Sequence, residues 1–223
     1  MKRRTFIKSS LLAGGAFTLS CADIDCLDAE SNTTLVGIGG AGVTIVNKAM
    51  KTYKEKVTCV GIDTKGHWNT SGHDLIHIDY NRPAFSMPGT EFVQFYTGSE
   101  FVEECWANNY SKLEPVFETA GKVIVVTGIK GTMGGIVGHK IIREIAKRRN
   151  SQITFIAVGP FSFEGSKAVS NKQYALVKET GKLCSHLEII SNTDLINGHR
   201  NNTLFKLFSI ADQKIVERIG QLI

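Results

Sequence analysis

The chain has 223 residues, a net charge of +5, 42% hydrophobic and 21% charged residues. That length suits one domain, or one domain with a short appendage, and buries an ordinary core without staples. Normal apolar content with four prolines excludes low-complexity disorder, and five cysteines do not make a disulfide scaffold. No run of about 18 apolar residues occurs, which excludes a polytopic membrane protein. Lys2, Arg3, Arg4 and Lys8 crowd the first 21 residues, which hold no acid, so the rest of the chain carries only +1. A nucleic-acid function argued from overall basicity therefore fails. Arg143, Lys147, Arg148 and Arg149 form the remaining basic cluster. It reads as a solvated helix end that complements the helix dipole.

Arg3-Arg4-Thr5-Phe6-Ile7-Lys8 resembles a twin-arginine export signal, followed by a mildly apolar stretch over 9–17 that contains Gly14 and Gly15. The stretch is too short and too weak to span a membrane. The resemblance implies export to the periplasm or tethering at the membrane, with a cytoplasmic location as the alternative. Residues 1–30 are set apart as signal and linker, and 31–223 as the folded domain. Thr18-Leu19-Ser20-Cys21 is a poor lipoprotein box. In an oxidising compartment Cys21 and Cys26 are available to pair or to carry a lipid, whereas Cys59 sits in an apolar run and reads as a small core residue.

The body alternates between strands and helices. Strands are expected over 33–37, 57–63, 75–79, 122–128, 153–159 and 187–191, the third on weaker grounds. Helices are expected over 43–50, 101–119, 141–147, 167–182 and 202–222. Residues 80–100 hold Asn81, Pro83, Pro88, Gly89 and Gly98 and read as a long loop. Continuous apolar strands between helices predict a three-layer, doubly wound α/β fold with a mostly parallel sheet. Ligands of such sheets bind beyond the carboxyl ends of the strands, so the loops after strands carry the functional question.

Gly37-Ile38-Gly39-Gly40-Ala41-Gly42 fits G-x-G-x-x-G directly after a strand and opens a helix. Glycines let backbone N–H groups approach a phosphate, and the helix N-terminus adds partial positive charge. Asp63 ends the second strand, 21 residues past Gly42, where a carboxylate accepts from a ribose hydroxyl. Taken alone, this pair points to a dinucleotide-binding Rossmann domain. Residues 128–138 form a second glycine-rich loop, after the strongest strand. With strand order 3-2-1-4 the two loops face each other across one crevice, which suits a nucleoside triphosphate held from both sides. Pro160-Phe161-Ser162-Phe163-Glu164-Gly165 follows the fifth strand and offers a carboxylate to ribose hydroxyls.

These three loops, in this order and after these strands, resemble the nucleotide-binding half of the tubulin/FtsZ superfamily. Val36 to Gly42 is similar to its first glycine loop, and 60–64 to its second-strand segment. Pro160 to Gly165 is close to its P-F-x-F-E-G loop. Asn192-Thr193-Asp194-Leu195 resembles its P-N-D-x-L segment, and 204–212 the start of its central helix. The resemblance implies a GTP- or GDP-binding protein, with Mg2+ as a possible companion, acting as a nucleotide-dependent switch or membrane-associated scaffold. It implies that Gly39, Gly40, Ala41 and Gly42 place amides on the phosphates, and that Thr44 stands near the base where the family often has asparagine. Gly131, Thr132, Gly134 and Gly135 would form the signature phosphate loop, with Lys130 as an added counter-charge. Glu164 would hold the ribose, and Asp212 would accept from the guanine N1–H and amine. Self-association, or association with another FtsZ-like protein, and membrane contact through the N-terminus are the implied partnerships.

The sequence also departs from the family. The signature G-G-G-T-G-[ST]-G is rearranged and one residue short before Thr132. The arginine expected after the F-E-G turn is replaced by Ala168, beside Lys167. No N-x-D-x-x-D loop occurs within the 223 residues, so the resemblance implies weak hydrolysis, with no catalytic residue assigned. Two other readings stay open: an exported NAD(P)-dependent oxidoreductase, and a degenerate module that binds no nucleotide. His67, His73 and His77 beside Asp63, Asp74 and Asp79 lack tight ligand spacing, so no metal is expected. Ser71 and Ser162 lack a nucleophile context, and Phe85, Phe92, Phe95 and Tyr96 are read as packing residues.

Overall fold

A computed structural model describes residues 33–53, 55–64, 74–78, 99–119, 121–131, 133–148, 151–162, 167–199 and 201–223. The twin-arginine-like segment, Cys21, Cys26, His67, Ser71, His73, Asp79, most of the 80–100 loop, Thr132, Arg149 and Glu164 lie outside the described residues. The chain order is β1 (Thr33–Ile38), α1 (Gly39–Tyr53), β2 (Thr58–Asp63), β3 (Asp74–His77), α2 (Ser99–Phe117) and β4 (Gly121–Gly128). A π-helical turn (Met133–Val137) then leads into α3 (Gly138–Lys147), β5 (Ser151–Gly159), α4 (Lys167–Gly181), β6 (His186–Ser191), the short α5 (Asn192–Leu195) and α6 (Leu204–Leu222).

The six strands make one sheet in the order β3-β2-β1-β4-β5-β6, and every pairing is parallel. Side chains alternate between the two faces of a strand, and here both faces are covered. Val36, Val123, Val125, Phe155 and Ala157 enter one core with Phe117 of α2, Ile141 and Ile145 of α3 and Val177 of α4. Their chain neighbours Leu35, Ile124, Val126, Ile156 and Val158 enter a second core with Ile45 and Val46 of α1 and Ile215 and Ile219 of α6. This two-sided burial explains why the strands read as unbroken apolar runs. Cys59 is buried in the second core, as its apolar neighbourhood suggests.

The strands fall where the sequence places them, and so does the start of α4 at Lys167, but the other helix starts differ. α1 begins at Gly39 rather than 43, so the second half of the first glycine loop is already its first turn. The helix after β4 begins as the π-turn at Met133 rather than at 141. Glycines have poor helix propensity, which hides both starts from a reading by periodicity. The expected loop ends early, because Ser99 and Glu100 are helical. The third strand stops at His77 instead of 79. The last helix starts at Leu204, and the separate α5 precedes it, capped by Ser191, whose hydroxyl accepts from the Asp194 N–H.

Candidate functional site

β1 and β4 are adjacent, with Ile38 opposite Thr127, so the segments that follow them emerge side by side. Gly39 adopts φ +70, and a Cβ there would lie 2.9 Å from the Gly134 nitrogen. The two glycine loops therefore touch, and only glycine satisfies both the left-handed backbone and the close approach. Beside this contact opens a cavity of about 640 Å³. Gly40 and Ala41 line it from the start of α1, and Gly128, Lys130 and Gly131 from the segment after β4. Val158, Gly159 and Pro160 follow from β5, Asn192 from α5, and Phe208 and Asp212 from α6. The carboxyl ends of three strands thus converge on it, as the doubly wound rule requires.

Six of the residues singled out from sequence meet at this cavity: Gly40, Ala41, Thr44, Lys130, Gly131 and Asp212. Others support it from behind. A Cβ on Gly42 would lie 2.4 Å from the Val126 carbonyl oxygen, on Gly134 2.7 Å from that of Gly128, and on Gly135 2.1 Å from that of Ile129. These three glycines are packing devices that let the loops lie flat on the sheet, and none of the three lines the cavity. The π-turn produces this arrangement by winding 133–137 away from the cavity, with the Gly135 N–H donating to Gly131 O at 2.5 Å. Such turns are frequent at functional sites.

Asp63 is only 3% exposed, and its Oδ1 accepts from the Thr64 N–H at 2.8 Å. It is not among the described residues that line the cavity. Thr44 faces the cavity, but its hydroxyl donates back to Gly40 O at 2.8 Å within α1.

Asn192 and Phe208 were not singled out as site residues from sequence. Phe208 lies four residues before Asp212 on α6, which puts both on one helix face, so helical spacing alone was a usable signal. It packs edge-on against buried Phe161 at 4.8 Å and is 36% exposed, giving the cavity a braced aromatic wall. Asn192 has a buried Oδ1 with no hydrogen-bond partner among the described residues. A buried acceptor left open in a cavity wall is what a ligand donor would satisfy.

Charge is divided along the cavity. The α1 N-terminus and Lys130 make one part positive. Asp212 makes another negative, and its Oδ2 accepts from Lys48 Nζ at 2.7 Å. Among the described residues no three His, Cys, Asp or Glu side chains converge as a metal site.

The curated sequences and solved structures similar to this chain agree with that geometry. The cell division protein FtsZ 1 of Pyrococcus abyssi is 24% identical over 186 residues, 83% of this chain and 48% of the relative. The chain spans about half the length of the curated relatives it matches. An empty FtsZ dimer from M. jannaschii superposes with a TM-score of 0.68 at 18% identity, covering 100% of this chain and 59% of that one. The chain has the tubulin/FtsZ fold. CetZ2 of Haloferax volcanii, solved as a GTPγS-bound protofilament, superposes at 0.66 with 15% identity, covering 85% of this chain and 57% of that one. No protein-family model matches the sequence.

Within this tubulin/FtsZ fold, a histidine sits behind the second glycine loop. His139, two residues after the π-turn, is 2% exposed, with Nδ1 3.0 Å from Thr180 Oγ1 and Nε2 without a partner among the described residues. Burial, helped by Arg143 one turn away, lowers its pKa to about 4, so it is neutral at physiological pH. Burial also pushes the Cys59 thiol up to about 12 and those of Cys105 and Cys184 to about 11, which makes all three poor nucleophiles.

Proposed function

We propose that this chain is a guanine-nucleotide-binding, self-associating domain of the FtsZ type, acting as a nucleotide-dependent switch or scaffold. The observation that carries the reading is the division of one cavity. A helix N-terminus, glycine backbone and Lys130 line one part, and Phe208, Asn192 and Asp212 line another. The first set suits phosphates, which backbone N–H groups and a lysine hold without sequence-specific contacts. The second set suits a base, which stacks on an aromatic ring and donates to a carboxylate. Guanine presents two adjacent donors to such a carboxylate, and adenine does not. The GTPγS-bound protofilament of CetZ2 and the dimer of M. jannaschii FtsZ support both nucleotide binding and self-association.

Among the described residues Asp212 is the only carboxylate that lines the cavity, and it belongs to the base part. Any Mg2+ would then be held mainly through the nucleotide phosphates. Hydrolysis by the 223-residue polypeptide alone is expected to be slow, since among the described residues none that lines the cavity is a positioned general base. The basic, twin-arginine-like start supports a place at or beyond a membrane.

Thermal unfolding of the full chain with GTP, GDP, ATP and NAD tests the assignment. A ligand at about 100 times its Kd adds roughly 2.7 kcal/mol, a shift of several degrees at this size. Protection by GTP or GDP and not by ATP or NAD is expected. Protection by NAD alone, or by none of the four, overturns the assignment.

A further inference from the structure

Asp212 projects from α6, and the lysine that holds it projects from α1, two helices that pack on the same face of the sheet. Lys48 stands one turn beyond Thr44, whose hydroxyl is spent on its own helix. Thr44 thus offers the cavity acceptor lone pairs only, and the cation that α1 sets against Asp212 is Lys48. Its ammonium binds Oδ2 of Asp212 and leaves Oδ1 without a partner among the described residues. The side chains are partly shielded, at 37% exposure for Lys48 and 19% for Asp212.

We propose that Lys48 is a specificity-determining residue that fixes Asp212 as a two-oxygen acceptor for a base edge with two adjacent donors. The inference rests on the guanine reading above. An unpinned carboxylate turns about its side-chain torsions and presents one oxygen as readily as two. Pinned through Oδ2, the carboxylate is held in one orientation in the cavity wall, with Oδ1 and the second lone pair of Oδ2 left to accept. A base that covers the carboxylate strips its water, and the neighbouring ammonium offsets the charge left behind. The edge rewarded most is then the one that fills both oxygens, the N1–H and 2-amine of guanine. Inosine, which lacks the amine, loses one charge-assisted hydrogen bond.

The test uses the full chain and three probes, GDP, IDP and ADP, with Kd measured by calorimetry for wild type, Lys48→Met, Lys48→Gln and Lys48→Arg. Wild type is expected to prefer GDP over IDP by about tenfold or more, the usual weight of a hydrogen bond to a charged group. Lys48→Met and Lys48→Gln are expected to lower that ratio to about threefold or less, chiefly by weakening GDP, and Lys48→Arg to restore it. Exposed ion pairs contribute little to folding, so the variants are expected to unfold within a few degrees of wild type. Equal losses of GDP and IDP in Lys48→Met would reduce Lys48 to a general wall support and overturn the proposal. An unchanged ratio would overturn it too. Failure of wild type to bind GDP at all is a different result, visible before any variant is made, and it removes the guanine reading itself.

Discussion

Acidification should destabilise the domain through one side chain, His139. The folded-state pKa of about 4 lies below the ordinary imidazole value of 6.5, so the unfolded chain takes up a proton where the native one does not. Stability from this group is complete above pH 6.5, falls as the pH drops from 6.5 toward 4, and levels off below that. The full effect of the shift is about 3 kcal/mol, and about 2 kcal/mol of it is lost between about pH 8 and about pH 5. The packing explains the direction. The ring meets Phe155 edge-on at 5.8 Å and bonds Thr180, so a second proton would create an imidazolium with no anion beside it among the described residues and Arg143 one turn along. Chemical denaturation of wild type and His139→Asn at both pH values isolates the contribution, because the two proteins differ in this imidazole alone. Wild type should lose about 2 kcal/mol more than the variant, roughly 4–8 °C in Tm. Parallel losses in the two proteins would refute the reasoning.

Other outcomes follow from the same geometry. Gly135→Ala drives a Cβ to 2.1 Å from the Ile129 carbonyl and should cost about 2–3 kcal/mol, whereas Gly131→Ala, 4.0 Å from its nearest neighbour, should cost less than about 1 kcal/mol by thermal melts. Phe208→Ala should weaken GDP binding roughly tenfold, the loss of one base stack, while moving Tm little because the ring is part-exposed; an unchanged Kd would remove Phe208 from the base site. At about pH 7.5, iodoacetamide should leave Cys59, Cys105 and Cys184 unmodified in the native protein and label all three after denaturation, read by peptide mass spectrometry. Rapid labelling of any one in the native state would contradict its burial.

The sheet was legible because β4 and β5 are apolar on both faces, so Val123 to Val126 and Ile153 to Val158 announce buried parallel strands by composition alone. The position of the cavity was legible too, since two glycine loops after neighbouring strands must lie together. Which glycines face it was not. Gly131 and Gly135 look equivalent in sequence, yet the π-turn leaves one at the cavity and seats the other against the Ile129 carbonyl. That choice depends on where the helix after β4 begins, which periodicity cannot read through glycines. Asp63 is a second case. Its place at a strand end suggests a ligand, and in the structure its Oδ1 accepts from the Thr64 N–H, a local bond that any strand-end aspartate can make and that composition does not announce.

The wholly parallel sheet also governs how the chain reaches its native state. No described strand can pair with its sequence neighbour through a tight hairpin, since parallel neighbours need long crossovers. β1 waits longest, because it lies between β2 and β4, and its Thr33 pairs with Lys122. Such non-local closure is slow, and Val- and Ile-rich strands stay open to other chains until it occurs. The segments that follow β1 and β4 are among those that line the cavity, so a ligand gripping both would act across the longest strand-to-strand closure of the described sheet. It would then stabilise a late contact and chiefly slow unfolding, which would make the ligand a brake on aggregation as well as a signal.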